Sequence, residues 1–308
     1  MPSYVLEYAP LVWLDEGEEY FPSDMFSQIE NTEPEVNYIP VLEAPSPLTV
    51  HNLDLLNEYG RGGHDVFLTS ELDITEDPNW LYGVIPDLRG RTRNVTSAAI
   101  ITNDHGNGSL DAFYMYFYAY NKGNTILGDE LGNHVGDWEH NMIRFVKGVP
   151  QAVWYSQHGN GQAFAYSAVE KAGPRPITYS ARGSHANYAI GGIHDHLIPD
   201  LNLPNGFLRD YTSKGTLWDP LLSTYWYKYH DPSKSFSSAS KGSPLGVMHY
   251  RGRWGDQQYP RSDPRQKDLF GFKKYVGGPT GPWNKQLNRA QVCPDNGLFC
   301  IVRTRLVP

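Results

Sequence analysis

The sequence predicts an all-β fold, an antiparallel β-sandwich with a few short peripheral helices and long loops, and three observations carry that prediction. Residues 112–120 alternate strictly: Phe113, Met115, Phe117 and Ala119 interleave with Tyr114, Tyr116, Tyr118 and Tyr120, and a period of two is the signature of a strand. Further strand-like pieces at 141–146, 152–156, 163–169 and 177–180 are separated by Lys147-Gly148, by 158–161 and by 173–176, which is the spacing of a meander. The 308 residues include 21 Tyr, 30 Gly and 23 Pro, with 40% hydrophobic and only 19% charged residues, a balance that supplies turns and cross-strand rings and argues against a helical bundle. There is no internal repeat and no break resembling a linker, so residues 1–308 read as a single sandwich domain.

Taken in order, residues 8–14 read as a short buried strand, followed by an acidic turn at 15–19. Residues 46–59 carry a helix signal: Ser46 as cap, Pro47 at the first helical position, Leu53, Leu55 and Leu56 recurring on one side, and Gly60 as the stop. The 112–120 strand offers one wholly apolar face and one row of tyrosines. That row either lines a groove or forms a second packed layer whose hydroxyls find local partners. Asp219-Pro220 opens a short helix running to Tyr229, and 233–243 reads as a polar loop.

Formal net charge is −8, which leaves no footprint for duplex nucleic acid or for an anionic membrane attracted by charge alone. No apolar run approaches the ~18 residues of a membrane-spanning helix. The start Met-Pro-Ser-Tyr lacks the regions of a signal peptide, although a mature chain would look the same. Cys293 and Cys300 flank Asn296-Gly297 symmetrically. In a type I′ hairpin they would face one another with Cα atoms about 5.5 Å apart, a separation a disulfide tolerates. The bridge, together with the glycosylation sequons at Asn94 and Asn107, points to secretion or to the secretory pathway and vacuole. Two reduced thiols in a cytoplasmic hairpin are the alternative.

The segment 132–140, Gly-Asn-His-Val-Gly-Asp-Trp-Glu-His, holds the chemical signature. Asp137 and Glu139 lie two apart at the start of a strand and so share a face, with Trp138 turned into the core and His134 in the preceding turn, free to fold back. Two neighbouring carboxylates repel unless a cation or a shared proton intervenes, and an imidazole completes a site for Mg²⁺, Mn²⁺, Ca²⁺ or Zn²⁺. Asn121, Asn124 and Asp129 are the nearest further oxygen donors in sequence. The bland reading is two surface acids and a loop histidine. His194 and His196 read as solvent-exposed in a Gly-flanked loop, Asp210 and Asp219 as turn caps. Ser180 and Ser184 lack the strand-to-helix elbow of a nucleophilic serine.

The stretches 8–14, 134–140, 179–188, Trp218-Asp219-Pro220 and 278–282 resemble the Vps62 family, in order and over nearly the whole chain. The name of that family implies vacuolar sorting rather than a set reaction. The His-x-x-Asp-Trp-Glu order also resembles the heptapeptide of the necrosis-and-ethylene-inducing (NLP) toxins, sandwich proteins that bind a divalent metal and a plant sphingolipid head group. That likeness implies His134, Asp137 and Glu139 as metal ligands, with His158 and His185 brought to the same end of the sandwich. The sequence departs from the toxins at Val135-Gly136, where they have Arg-His, and in a longer preceding loop.

Three functions are therefore open. The first is metal-assisted binding of a glycan or glycolipid head group, with the tyrosine row stacking on sugar. The second is a metal-dependent hydrolase in which His158 or His185 moves protons. The third is a non-enzymatic adaptor in vacuolar trafficking, the cluster being structural.

Overall fold

The computed structural model describes residues 1–195, 206, 208–269 and 271–306. In chain order its principal strands are β1 (Leu11–Leu14), β2 (Ala98–Gly106), β3 (Ser109–Asn121), β4 (His134–Val146), β5 (Val149–Gln157), β6 (Asn160–Ala165), β7 (Arg175–Ser180), β8 (Asn187–Tyr188), β9 (Leu217–Trp218), β10 (Thr224–His230), β11 (Ser235–Ser238) and β12 (Val302–Arg303). The main sheet runs β11-β10-β2-β3-β4-β5-β6-β12, and its centre is the expected antiparallel meander. The β10–β2 and β6–β12 pairs are parallel. A second sheet is built from Lys171–Ala172, β7, β1 and β9, with β8 paired to β7. Its β1–β7 pair is also parallel.

The 112–120 alternation is realised in β3. Phe113, Met115 and Phe117 join one buried cluster, while Tyr114, Tyr116 and Tyr118 join another that includes Val12 and Leu14 of the second sheet. The tyrosine row is therefore a packed layer between two sheets. The Tyr114 hydroxyl donates to the Val5 carbonyl at 2.7 Å and that of Tyr116 to Asn141 Oδ1 at 2.8 Å. Tyrosine suits this place because the ring fills the layer while the hydroxyl finds a local acceptor. The opposite face is covered by short helices, among them Met25–Glu30, Leu53–Glu58 and Gly246–His249, together with Val36 and Leu68 of a small three-stranded sheet.

Four local expectations change. The helix of 46–59 shrinks to a 3₁₀ turn at Leu53–Glu58, with a cis Ser46-Pro47 peptide where the cap was expected. The Asp219 cap is real, since its side chain accepts from Leu221 N at 3.1 Å, but the helix ends at Ser223. Residues 224–230 instead form β10, drawn into the sheet beside β2. The polar loop contains β11. Cys293 and Cys300 are disulfide-bonded with Cα atoms 5.5 Å apart. The turn between them is not type I′, because Gly297 has positive φ while Asn296 does not, and type I′ requires both.

Candidate functional site

Period-two alternation at the start of β4 places Asp137 and Glu139 toward the second sheet, opposite Tyr118 and Tyr116 of β3. Trp138 points the other way and packs against Phe117 and Trp254. Both carboxylates are buried. Isolated carboxylates are too costly to bury, so each must find a partner.

Asp137 finds it in His185. The imidazole Nδ1 lies 2.9 Å from Asp137 Oδ2, and Nε2 lies 2.9 Å from the Tyr20 carbonyl and 3.7 Å from Glu18 Oε1. Carboxylate and carbonyl are both acceptors, so both ring nitrogens must carry hydrogen and the ring is an imidazolium. Burial alone would lower its pKa, but Glu18 and Asp137 override that and hold it at about 10. The ring also stacks on Tyr118, with centroids 3.7 Å apart and planes 4° from parallel. Glu18 is fixed by the backbone amides of Glu19, Tyr20 and Gly183 at 2.9–3.0 Å.

Glu139 accepts a hydrogen bond from the Ser156 hydroxyl, which in turn accepts from His140 N at 2.9 Å. Burial first, then the nearby Asp137 charge, push the Glu139 carboxyl up to about 8. Beyond it, His158 Nε2 lies 2.8 Å from Asp210 Oδ2. Asp210 also accepts from the hydroxyls of Tyr188 at 2.7 Å and Ser184 at 2.8 Å. Ser184 precedes His185 in the chain, so the two histidine–carboxylate pairs belong to one network.

His185 lies against Asp137 and His158 against Asp210, while His134 bonds within its own strand. His134 is the first residue of β4 rather than a free turn residue, and its Nδ1 donates to the Gly136 carbonyl at 2.7 Å. Asn121 is turned to the Gly132 carbonyl at 3.0 Å, and Asp129 pairs with Lys267 at 2.5 Å. Asn124 lies with Lys122 and Arg182 around a cleft of about 380 Å³ that Glu18 and Tyr20 also line. Among the described residues no three His, Cys, Asp or Glu side chains are placed to hold one metal ion. Asp137 and Glu139 each already have a hydrogen-bond donor from the protein, His185 Nδ1 and the Ser156 hydroxyl.

His194, expected to be exposed, is buried. It stacks on Tyr188 with centroids 3.8 Å apart, approaches Thr212 Oγ1 at 3.0 Å, and is pushed by burial down to about 4. His196 lies outside the described residues. Sequence reasoning missed Glu18, Ser156 and Asp210 as members of the network. Glu18 was hidden in an acidic turn and Asp210 was read as a cap. Nothing local marks an acid as buried when its partner is distant in sequence.

The His158–Asp210 pair gives a testable pH dependence. Burial lowers the His158 pKa, but Asp210 outweighs it and raises the value from 6.5 to about 9. A raised folded pKa contributes stability that is complete below the unfolded value of 6.5 and is lost as pH rises toward 9. The His158→Gln variant is expected to lose most stability relative to the parent below pH 6.5, with the difference shrinking toward pH 9. Paired urea titrations across that range measure it, and a difference constant with pH would refute the assignment.

A two-sheet β-rich architecture with a buried carboxylate–histidine network at one end defines the class of protein. The profile for vacuolar protein sorting-associated protein 62 matches residues 122–218, a span that contains the His134–His140 segment, His158 and His185. Two Saccharomyces cerevisiae relatives align with 95% of this chain and 68% of their own lengths. They are the putative vacuolar protein sorting-associated protein TDA6, at 40% identity, and vacuolar protein sorting-associated protein 62, at 34%. The chain belongs to the Vps62 family, a family related to vacuolar protein sorting. Solved structures that align with it include Necrosis and Ethylene inducing Protein 2 from the causal agent of cocoa's Witches Broom disease (TM-score 0.31, 13% identity, 62% of this chain and 68% of that one). The non-toxic HaNLP3 protein aligns with TM-score 0.31 and 13% identity over 80% of this chain and 84% of its own.

Proposed function

We propose that this protein is a non-enzymatic adaptor in vacuolar protein trafficking, and that its carboxylate–histidine network is architecture rather than a reaction centre. One observation carries the reading. His185, the histidine that lies against Asp137, is fully buried and spends both nitrogens on protein acceptors. A general acid or base needs a nitrogen within reach of substrate, and His185 offers none.

The metal-assisted glycan reading needs open carboxylates and accessible rings. Here Asp137 is paired with an imidazolium, and Tyr114, Tyr116 and Tyr118 are buried between sheets. The names of the two yeast relatives support a role in vacuolar sorting. They and the disulfide also support residence in the secretory pathway or vacuole.

The test is expression of the chain in yeast lacking both relatives, with missorting of a vacuolar hydrolase into the medium as the readout. Restored sorting by the parent and equally by His158→Gln, at matched protein levels, is the expected result. Failure of the parent to restore sorting would sink the adaptor reading. Loss confined to His158→Gln at unchanged protein level would return proton transfer to the front.

A further inference from the structure

Away from the network, residues 83–93 form a loop held by its own hydrogen bonds, while its most lipid-compatible side chains face solvent. Val84 N donates to the Pro22 carbonyl at 3.0 Å and Asp219 N to the Gly90 carbonyl at 2.8 Å, so the loop is tied down at both ends. Gly90 has φ +81, and a Cβ there would lie 2.9 Å from Asp219 N, so glycine permits this close approach. Inside the loop, Asp87 Oδ1 accepts from the amides of Arg89 and Arg91 at 2.9 and 3.1 Å, and Oδ2 accepts from Arg93 Nε at 2.8 Å.

What this frame leaves outside is an apolar pair next to a cationic row. Ile85 is 65% exposed and Leu88 is fully exposed. Arg89, Arg91 and Arg93 follow at alternate positions and are also exposed. Three arginines within five residues stand out in a chain of net charge −8. Behind them lies a groove of about 950 Å³, with Phe26, Leu222 and Tyr225 on its apolar wall. The two acids bordering the groove are turned to other donors: Asp87 as described, and Asp24 to the amides of Phe26 and Thr96 at 3.2 and 3.4 Å.

We propose that loop 83–93 is a membrane-docking face, in which Ile85 and Leu88 enter the bilayer interface while Arg89 and Arg91 hold the phosphorylated head group of an anionic lipid at the groove. Two features point to the same occupant. Exposed aliphatic tips on a hydrogen-bonded loop suit an apolar interface. Clustered guanidiniums suit phosphate, which they bind with forked, charge-assisted hydrogen bonds. Attraction to the surface is local, acting within a Debye length of the membrane, so the overall negative charge does not cancel it. This inference does not depend on whether the buried network is catalytic.

The experiment is sedimentation of the full chain with phosphatidylcholine vesicles, plain or containing a phosphorylated inositol lipid, beside titration with a soluble inositol phosphate. Binding is expected only to the phosphorylated vesicles and should weaken with added salt. The Arg89→Ala/Arg91→Ala double variant should weaken it by roughly tenfold or more. Leu88→Ser should weaken vesicle binding while leaving soluble head-group binding unchanged. Melting temperatures of all variants should match the parent, since the substituted side chains are exposed. The proposal is overturned by no vesicle binding, by vesicle binding indifferent to the double substitution, or by capture of the soluble phosphate alone.

Discussion

Replacing His185 by alanine is expected to cost about 3–5 kcal/mol of stability, because it strips the imidazolium from two buried carboxylates, Asp137 and Glu18. Most of that loss is the penalty of leaving acids without a counter-charge. The His185→Ala/Asp137→Asn double variant should therefore be more stable than the sum of the single losses predicts, by a coupling of about 0.5–3 kcal/mol. Urea unfolding of the four proteins measures both quantities. A His185→Ala loss below about 1 kcal/mol, or strict additivity, would mean that the ring is not the charge partner of those acids.

Gly136→Ala is expected to be as damaging, for reasons of backbone rather than charge. Gly136 has φ +68, and a Cβ there would sit 1.9 Å from the Trp254 carbonyl oxygen. The left-handed conformation costs an L-residue about 1–3 kcal/mol, and forcing an extra carbon against packed backbone adds about 1–3 kcal/mol. Trp254 itself packs on Phe117 and Trp138, so it has little room to yield. The same glycine lies between His134 and Asp137, so its strain would reach the network directly. Chemical denaturation is the check, and a loss within about 1 kcal/mol would show that the two segments separate freely.

Much of this fold was legible because β3 is buried on both faces yet keeps two chemistries, with Phe113, Met115 and Phe117 on one side and Tyr114, Tyr116 and Tyr118 on the other. Residues 112–120 therefore retain a visible period of two. The meander could be read because its turns carry glycine. The failures came where a local signal was correct but brief. Asp219 does cap a turn, yet nothing nearby shows that residues 224–230 will be taken up by β2, whose sequence lies far upstream. The same holds at 46–59, where leucines at helical spacing bury Leu53 and Leu56 from a single 3₁₀ segment.

At the site, alternation correctly placed Asp137 and Glu139 on one face, and simple electrostatics correctly demanded a positive partner. The toxin resemblance brought His185 to that end of the sandwich, but the sequence did not reveal that it would pair with Asp137, 48 residues away, nor that Glu18 would close the pair from the other side. Those contacts depend on how β3, β4 and the second sheet stack, which no local pattern encodes.

The most direct measurement of this account is ¹⁵N NMR of the His185 imidazole near neutral pH, assigned by comparison with His185→Gln. The account predicts that both ring nitrogens are protonated at pH 7 and stay so until the pH approaches about 10. A neutral ring at pH 7 would contradict it, because Asp137 and Glu18 would then lack the cation on which the architectural reading of the network rests.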